Sequence, residues 1–503
     1  MSASPVASSA AWTPSRVRCT RASPARAWRC PARRLDRRGR VARASDAADG
    51  SASYRDLLDA KVARTRELFG DLLPPEGLEV YASPRTRGFR QRCRFAVVRE
   101  GASGAGDVSP RVEAPSSVGS GNLRYALFER GRVVVLDARD ANAFGAASRA
   151  IAELMPRVLD ALNDLDKRED ASGSARDPSP LTENLSAVGF LSNRAGDVIV
   201  TLWNGTKRGT KRTKRDSDAF DERWETAAIA FRESLEPYGV KGVVSRRRRK
   251  TLANGADRVW EETAVPSFSS LMIPKNDDRD DASSVDTLRL SMVEGAFSNP
   301  NADVAEITAA WLRETAIRAL AEREDEDETP TEGMRKKEKK KPSLTELYCG
   351  NGTHAVNLAR AFHAVTAVEI EPRLCAAAEE NFAANGVTNA RVQATPAETF
   401  SARRSASGDD DDDDDAETNE TETADDFILV DPPRAGLDPV TLSLVRRYRT
   451  IVYIACDSRS LVRDLRERKL SQTHELKRAA VFDHFPYSEF CEVVVWAERR
   501  REK

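Results

Sequence analysis

"LTELYCGNGTHAVNLA", residues 344–359, is the stretch whose reading decides the fold. A short apolar run ends at Gly350 and Gly352, and a segment with helical spacing follows. Glycines at a strand-to-helix junction let a cofactor approach the backbone and the amino end of the helix closely. Further along, "AVTAVEI" (364–370), "ARVQA" (390–394), "FILVD" (427–431) and "TIVYIA" (450–455) alternate with helical segments. That alternation predicts a parallel sheet with helices on both faces and ligands at the carboxyl ends of its strands. Two more strand-like runs, "HELKRAAVFD" (474–483) and "CEVVVWAE" (491–498), complete an α/β domain over 344–503.

The first half has another rhythm. "YRDLLDAKVARTRELFGDLL" (54–73) carries apolar residues at helical spacing. "GLEVYASP" (77–84), "RQRCRFAVV" (90–98), "LRYALFE" (123–129) and "RVVVLDA" (132–138) predict an antiparallel sheet. A second helix (148–165) and a hairpin (188–204) follow, so residues 52–273 are read as an α+β domain with basic loops. Residues 274–343 read as linker segments around a connecting helix, and 401–425 as an acidic insertion.

With 79 basic and 80 acidic residues the net charge is only -1. The acids cluster, in "DDRDD" (277–281), "EREDEDE" (322–328) and "DDDDDDD" (409–415). Basic blocks at 207–215 and 245–250 remain, of the kind that meets phosphate backbones. No run approaches the roughly 18 apolar residues of a membrane span. The seven cysteines and four histidines show no metal-ligand spacing, which argues against a zinc site or a disulfide framework. Residues 1–45 are rich in Ser, Ala, Pro and Arg, with no acid before Asp36. This is transit-peptide composition, with "RVARAS" (40–45) as cleavage region; it predicts a chloroplast destination, with the mitochondrion as alternative.

Three strand tips carry chemistry. Glu369 ends "VTAVE", where an acid accepts hydrogen bonds from ribose hydroxyls. Alone, Gly-x-Gly-x-x-Ala fits a dinucleotide as well as S-adenosylmethionine. "FILVDPPRAGLD" places Asp431 before two prolines, whose fixed φ projects a polar group rigidly. Methylases of exocyclic base amines have an aromatic residue after such prolines; Arg434 stands here instead, a cation for an anionic intermediate. Cys456 ends the next strand and is expected on the same sheet edge as Asp431. Carbon 5 of a pyrimidine is a poor nucleophile until a thiolate adds to carbon 6, and a base must then remove the carbon 5 proton. A free thiol titrates near ~8.5, so a nearby cation would assist. Glu492 is the base candidate and Glu489 its competitor. Cys349, Cys375 and Cys491 are expected to pack, as are Trp203 and Trp260, while Phe89 is a candidate for RNA contact.

Together "LTELYCGNG", "VTAVEI", "ILVDPPRAGLD", "YIAC" and "SQTHELKRAAVFDHFPY" with the final "CE" resemble the tRNA uracil-5 methyltransferase (TrmA-like) family, over about Phe297 to Glu498. "SPRTRGFRQRCRF" (83–95) and "FDERW" (220–224) resemble its RNA-binding part more weakly. The resemblance implies a Rossmann-like class I S-adenosylmethionine-dependent methyltransferase domain preceded by an α+β RNA-binding domain. It implies 5-methyluridine formation at position 54 in the T loop of tRNA, with the T arm as partner, and a monomer needing no metal or membrane. Residue by residue, Cys456 matches the nucleophile and Glu492 the base; Tyr348, Glu369 and Asp431 match cofactor contacts. Thr353 and Asn299 fall at cofactor-side positions where the family has Asn and Gln; Phe89, Arg90 and Arg92 fall in the RNA-binding part. The ribosomal RNA branch carries an iron–sulfur cysteine cluster and a TRAM domain, and neither pattern occurs here, which favours tRNA. The family's Asn-Pro after the nucleophile is Asp457-Ser458, and the histidine of its FPxTxHxE pattern is Phe490. Asp457 is expected to raise the thiol pKa. Those departures leave two alternatives: a ribosomal RNA substrate, or an RNA-binding protein whose catalysis is impaired.

Overall fold

The computed structural model describes residues 53–100, 121–129, 132–140, 144–167, 179–205, 214–247, 250–272, 284–327, 342–406 and 427–500. The arginine-rich leader, most of the basic block at 207–215 and the aspartate run lie outside the described residues. In chain order, α1 (Tyr54–Phe69) and β1 (Leu78–Tyr81) precede β2 (Arg92–Arg99), β3 (Leu123–Glu129), β4 (Arg132–Leu136) and α2 (Arg149–Asp166). Then come β5 (Leu185–Ser192), β6 (Val198–Asn204), α3 (Lys214–Leu235), β7 (Val240–Arg247) and β8 (Lys250–Gly255). Next are β9 (Arg258–Pro266), α4 (Phe268–Met272), β10 (Val285–Val293) and α5 (Ala302–Asp327). The last part holds β11 (Leu344–Leu347), α6 (Thr353–Leu358), β12 (Val365–Glu369), α7 (Pro372–Ala384), β13 (Ala390–Ala394) and α8 (Ala397–Ala406). It ends with β14 (Phe427–Val430), α9 (Pro439–Val445), β15 (Thr450–Ala455), α10 (Ser458–Arg466), α11 (Leu470–Thr473), β16 (His474–Phe482) and β17 (Glu492–Arg499).

The five predicted strands of the α/β half are all present, in the order β13-β12-β11-β14-β15 and parallel throughout. The chain runs outward on one side of β11 and then restarts on the other, so β11 and β14 flank the topological switch where ligands bind. β17 inserts antiparallel between β15 and β16, which carries its first residue, Glu492, to the edge where β15 ends. Near-continuous apolar runs fit a sheet buried on both faces. One face packs under α5, α6 and α7 through Trp311, Leu312, Val356 and Phe382. The opposite face packs under α1, α8, α9 and α10 through Leu58, Phe69, Phe400 and Leu461.

β1 differs from the expected pattern. It pairs in parallel with β16, Leu78 opposite Ala479, and so belongs to the C-terminal sheet. Helix α1 goes with it, started by a capping box in which Ser53 and Asp56 satisfy each other's amides. The first thirty or so residues of the segment read as RNA-binding therefore complete the α/β domain. A second sheet of seven strands, β4-β3-β2-β5-β6-β7-β8, forms the α+β part around α2 and α3. Residues 274–343 are also more than linkers: β10 pairs with β9, and α5 covers the large sheet. At the acidic insertion, residues 401–406 continue α8, and Ser401 is buried. The side chain of Arg246, from the second basic block, is spent on Glu294 at 2.8 Å.

Candidate active site

The turn after β11 is built for a close ligand. Tyr348, Gly350 and Gly352 have φ of +63°, +57° and +74°. A side chain at Gly352 would meet the Ala378 Cβ at 3.0 Å, so close packing of α7 requires glycine there. At Gly350 a Cβ would meet nothing within 4 Å, so the space over that turn is open. The Gly350 amide donates to Glu369 Oε2 at 3.0 Å, and Glu369 Oε1 accepts the amides of Ile370 and Glu371. Glu369 thus shapes the turn from the tip of β12, beside the open space. Thr353 donates to Asn351, whose amide donates to the Ser291 carbonyl, so β10 buttresses the loop. Tyr348 packs its ring into the core beneath and bonds Thr441, and burial pushes its hydroxyl up to about 12.

Asp431 follows β14 and Cys456 follows β15, and the two sit together as expected. Cys456 is half-buried. Burial raises its pKa, as do the Asp431 and Glu492 carboxylates, while Arg434 opposes them with its charge and a hydrogen bond to the thiol. Arg434 lies at the exposed mouth, its guanidinium 4.8 Å from the centre of the Phe490 ring. Asp457, expected to raise the thiol, is not among the larger causes of its shift. Its carboxylate is turned to the first turn of α10, accepting the Arg459 amide at 3.0 Å and the Arg459 side chain at 3.2 Å. Asp457 is a helix cap, a use to which the side chain is well suited.

Two acids in the cleft are driven apart. Burial, then the charge of Glu492, pushes Asp431 well above the usual carboxylate range. Burial pushes Glu492 the same way, but the adjacent His484, by charge and hydrogen bond, draws it below that range. Asp431, held high, is the weaker acid of the pair, and Glu492, held low, is the one that can accept a proton. Environments that separate two carboxylates in this way assign acid and base roles. Under the same floor Glu346 is fully buried, and burial, followed by the Asp431 charge, pushes it well above the usual carboxylate range.

His484 was not foreseen. It follows β16 and sets Nε2 2.8 Å from Glu492 Oε2. The nearest sequence signal was its place at a strand end in "FDHFPY". Asn299 lies with Nδ2 3.3 Å from the same Nε2, so this predicted residue faces the base through the imidazole. His354, on α6, is also at the base; burial drives its pKa down to about 4, so it is neutral near pH 7. Glu489 is excluded as the base: it is 69% exposed and reaches Arg64 at 3.7 Å. Cys491 points to the opposite face, into the core under α1.

One RNA-contact candidate, Phe89, needs correction. Phe89 is only 3% exposed, because Arg90 bridges to both Ala147 and Asn301 and draws the chain inward. Arg90 donates to the Arg92 carbonyl, and Arg92 to the Ala296 carbonyl. The aromatic that Arg92 does present is Phe297, 72% exposed and 5.7 Å from its guanidinium. Trp203 and Trp260, expected to pack, do so only in part. Both are partly buried, under Arg94 at 4.3 Å and Arg289 at 4.6 Å.

A doubly wound sheet with an antiparallel β17, a glycine turn at its switch point and a thiol between two differently ionised acids defines a Rossmann-type methyltransferase of the nucleophile-assisted class. The family model described as tRNA (Uracil-5-)-methyltransferase matches residues 332–500. The tRNA/tmRNA (uracil-C(5))-methyltransferase of Chromohalobacter salexigens is 31% identical over 454 residues, 89% of this chain and 96% of its own. That of Neisseria meningitidis serogroup B is 29% identical, covering 89% of this chain and 99% of its own. The crystal structure of Pyrococcus abyssi tRNA (uracil-54, C5)-methyltransferase with S-adenosyl-L-homocysteine superposes over 88% of this chain and 83% of its own, with a TM-score of 0.51 at 15% identity. The chain belongs to the tRNA (uracil-5-)-methyltransferase family.

Proposed function

We propose that the protein uses S-adenosylmethionine to methylate carbon 5 of the T-loop uridine of tRNA, position 54. The observation that carries this is the meeting of Cys456, Arg434 and Glu492 at one sheet edge, beside the open glycine turn. Gly350, Gly352, Glu369 and Asp431 are the residues that would hold the cofactor, and the vacant space at Gly350 fits a ligand lying against the backbone. When bound, S-adenosylmethionine supplies a methyl group on a sulfonium.

The residues then divide the work. Cys456 Sγ, ionised with help from Arg434, adds to carbon 6 of the uracil and makes carbon 5 nucleophilic. Arg434 stays beside the oxygen on which negative charge collects. Once carbon 5 carries the methyl group, Glu492 removes its proton. The electron pair restores the 5,6 double bond and expels Cys456 as thiolate. A base inside a helix is out of reach, so the uridine must be flipped into the cleft. The arginine-faced Trp203, Trp260 and Phe297 support RNA contact, since stacking accepts any base.

With T-arm RNA containing 5-fluorouridine the adduct cannot lose fluorine as a proton, so a protein–RNA species that survives denaturation is expected. Its persistence in Cys456→Ala would defeat the proposal. Leader composition supports delivery to a plastid, with the mitochondrion as alternative, and an import assay with isolated organelles tests it.

A further inference from the structure

We propose that His484 is the positioning residue of the base: it holds the Glu492 carboxylate by one oxygen and turns the other toward carbon 5 of the substrate. This role rests on the methyl transfer proposed above and names a residue that the sequence motifs do not. The family pattern places a histidine two residues before the glutamate. Here that residue is Phe490, 41% exposed and covered by Arg434, so it faces the mouth of the cleft rather than the base. The imidazole next to Glu492 comes instead from the end of β16, on the far side of the intervening turn.

The contact is fixed from several directions. His484 is 1% exposed, and its Nε2 lies 2.8 Å from Glu492 Oε2, so Nε2 must carry the proton. Thr308 Oγ1 stands 3.4 Å from Nε2 while donating its own proton to the Val304 carbonyl, so it can only share that N–H as a second acceptor. Asn299 Oδ1 accepts the Asn301 amide, which leaves the Asn299 Nδ2 donor 3.3 Å from Nε2 with no hydrogen bond to it while Nε2 carries its proton. The backbone is held as well: the Asn301 side chain donates to the His484 carbonyl, and the Asp483 amide donates to the Tyr81 carbonyl. Burial alone pushes a carboxylate in so enclosed a site toward its neutral form, and a neutral acid cannot take a proton. Held by His484, Glu492 meets the methylated adduct as an anion. The carbon 5 proton passes to Glu492, the electron pair forms the 5,6 double bond, and the carbon 6–sulfur bond breaks to the Cys456 thiolate.

The full chain is assayed with methyl-labelled S-adenosylmethionine and T-arm RNA, in the wild type, His484→Leu and His484→Gln. Single-turnover labelling of RNA is followed beside steady-state release. In His484→Leu, kcat is expected to fall roughly 10- to 100-fold, with KM for RNA within about twofold. Methyl-labelled RNA should accumulate joined to the protein, because adduct formation is slowed far less than adduct breakdown. His484→Gln keeps an N–H donor and is expected to recover most of the loss, which separates positioning from a fold defect. A His484→Leu kcat within about threefold of wild type overturns the role. So does a loss of kcat without joined, labelled RNA. A wild-type chain that labels no RNA removes the reaction itself and this role with it, and is distinguished by its own failure.

Discussion

The wall of the cleft that carries Cys456 and Asp431 is held by its own sheet, whereas the wall that carries Glu492 and His484 is held by distant parts of the chain. Asp431 and Cys456 leave adjacent parallel strands, Val430 opposite Tyr453. The residues that bear on the thiol from this wall, Asp431 and Arg434, lie within 25 positions of it. The other wall, residues 483–492, is clamped by α1. Lys61 Nζ reaches Asp483 at 2.7 Å and the Phe485 carbonyl at 2.9 Å, with side chains 1% and 0% exposed. Tyr54 packs on Tyr487 with ring centres 5.9 Å apart. The nucleophile is a local product of strand and turn. The base depends on contacts spanning more than 400 residues of chain.

Breaking the two walls separately should give different failures. Cys456→Ala should abolish turnover, by at least about 10⁴-fold, and leave no RNA joined to the protein, as read by labelled-methyl incorporation and a denaturing gel. Glu492→Gln should slow turnover by roughly 10²–10⁴-fold, yet methylated RNA should stay attached to Cys456 because only the proton loss is blocked. Glu489→Gln, changing an exposed side chain paired with Arg64, should leave the rate within about twofold of wild type. Joined RNA in one variant and none in the other is the signature that the walls do different steps.

The clamp itself can be removed. Lys61→Met leaves Asp483 buried without its cation, and losing one partner of such a pair costs about 3–5 kcal/mol. Denaturant unfolding should show that loss, and a midpoint unchanged from wild type would break the contrast between the walls. On the nucleophile wall the test is electrostatic. The thiol is raised by burial and by the charges of Asp431 and Glu492, and Arg434 opposes them by charge and hydrogen bond. Because the thiolate is the reactive form, activity should climb as pH rises through the thiol pKa. Arg434→Ala removes the opposing cation, so the rise should move to higher pH, as single-turnover rates across pH would report.

This contrast also explains what the sequence could reveal. "FILVD" and "TIVYIA" are short β-branched runs closed by turn residues, and their order alone puts Asp431 and Cys456 on one edge. β1 is as legible as a strand, but no local pattern says that Leu78 pairs with Ala479. His484 was missed for the same reason, since its meeting with Glu492 depends on how an antiparallel hairpin closes. Phe89 was misjudged because flanking arginines suggested a surface strand, while the bridges of Arg90 to two remote segments seat the ring inside. Trp203 packs as expected on one face only. Its ring lies across Gly189 of the neighbouring strand, where any Cβ would collide with it at 2.5 Å, and its outer face stays open to Arg94.

The smallest effect concerns the residue after the nucleophile. Asp457 seemed placed to burden the thiol, but its carboxylate caps α10 and holds Arg459, with side chain 28% exposed. Two roles give two separable outcomes. If Asp457 only caps, Asp457→Ala should cost about 0.5–2 kcal/mol in denaturant unfolding, and Asp457→Asn, which can still accept the amide, much less. Neither change should shift the pH at which single-turnover activity rises. A downward shift in Asp457→Asn would mean that its charge reaches Cys456 after all, and would put the control of the thiol partly outside the cleft. With no shift, that control belongs to Arg434, Asp431 and Glu492, and a departure from the family pattern beside the nucleophile has been absorbed by a helix rather than by the reaction.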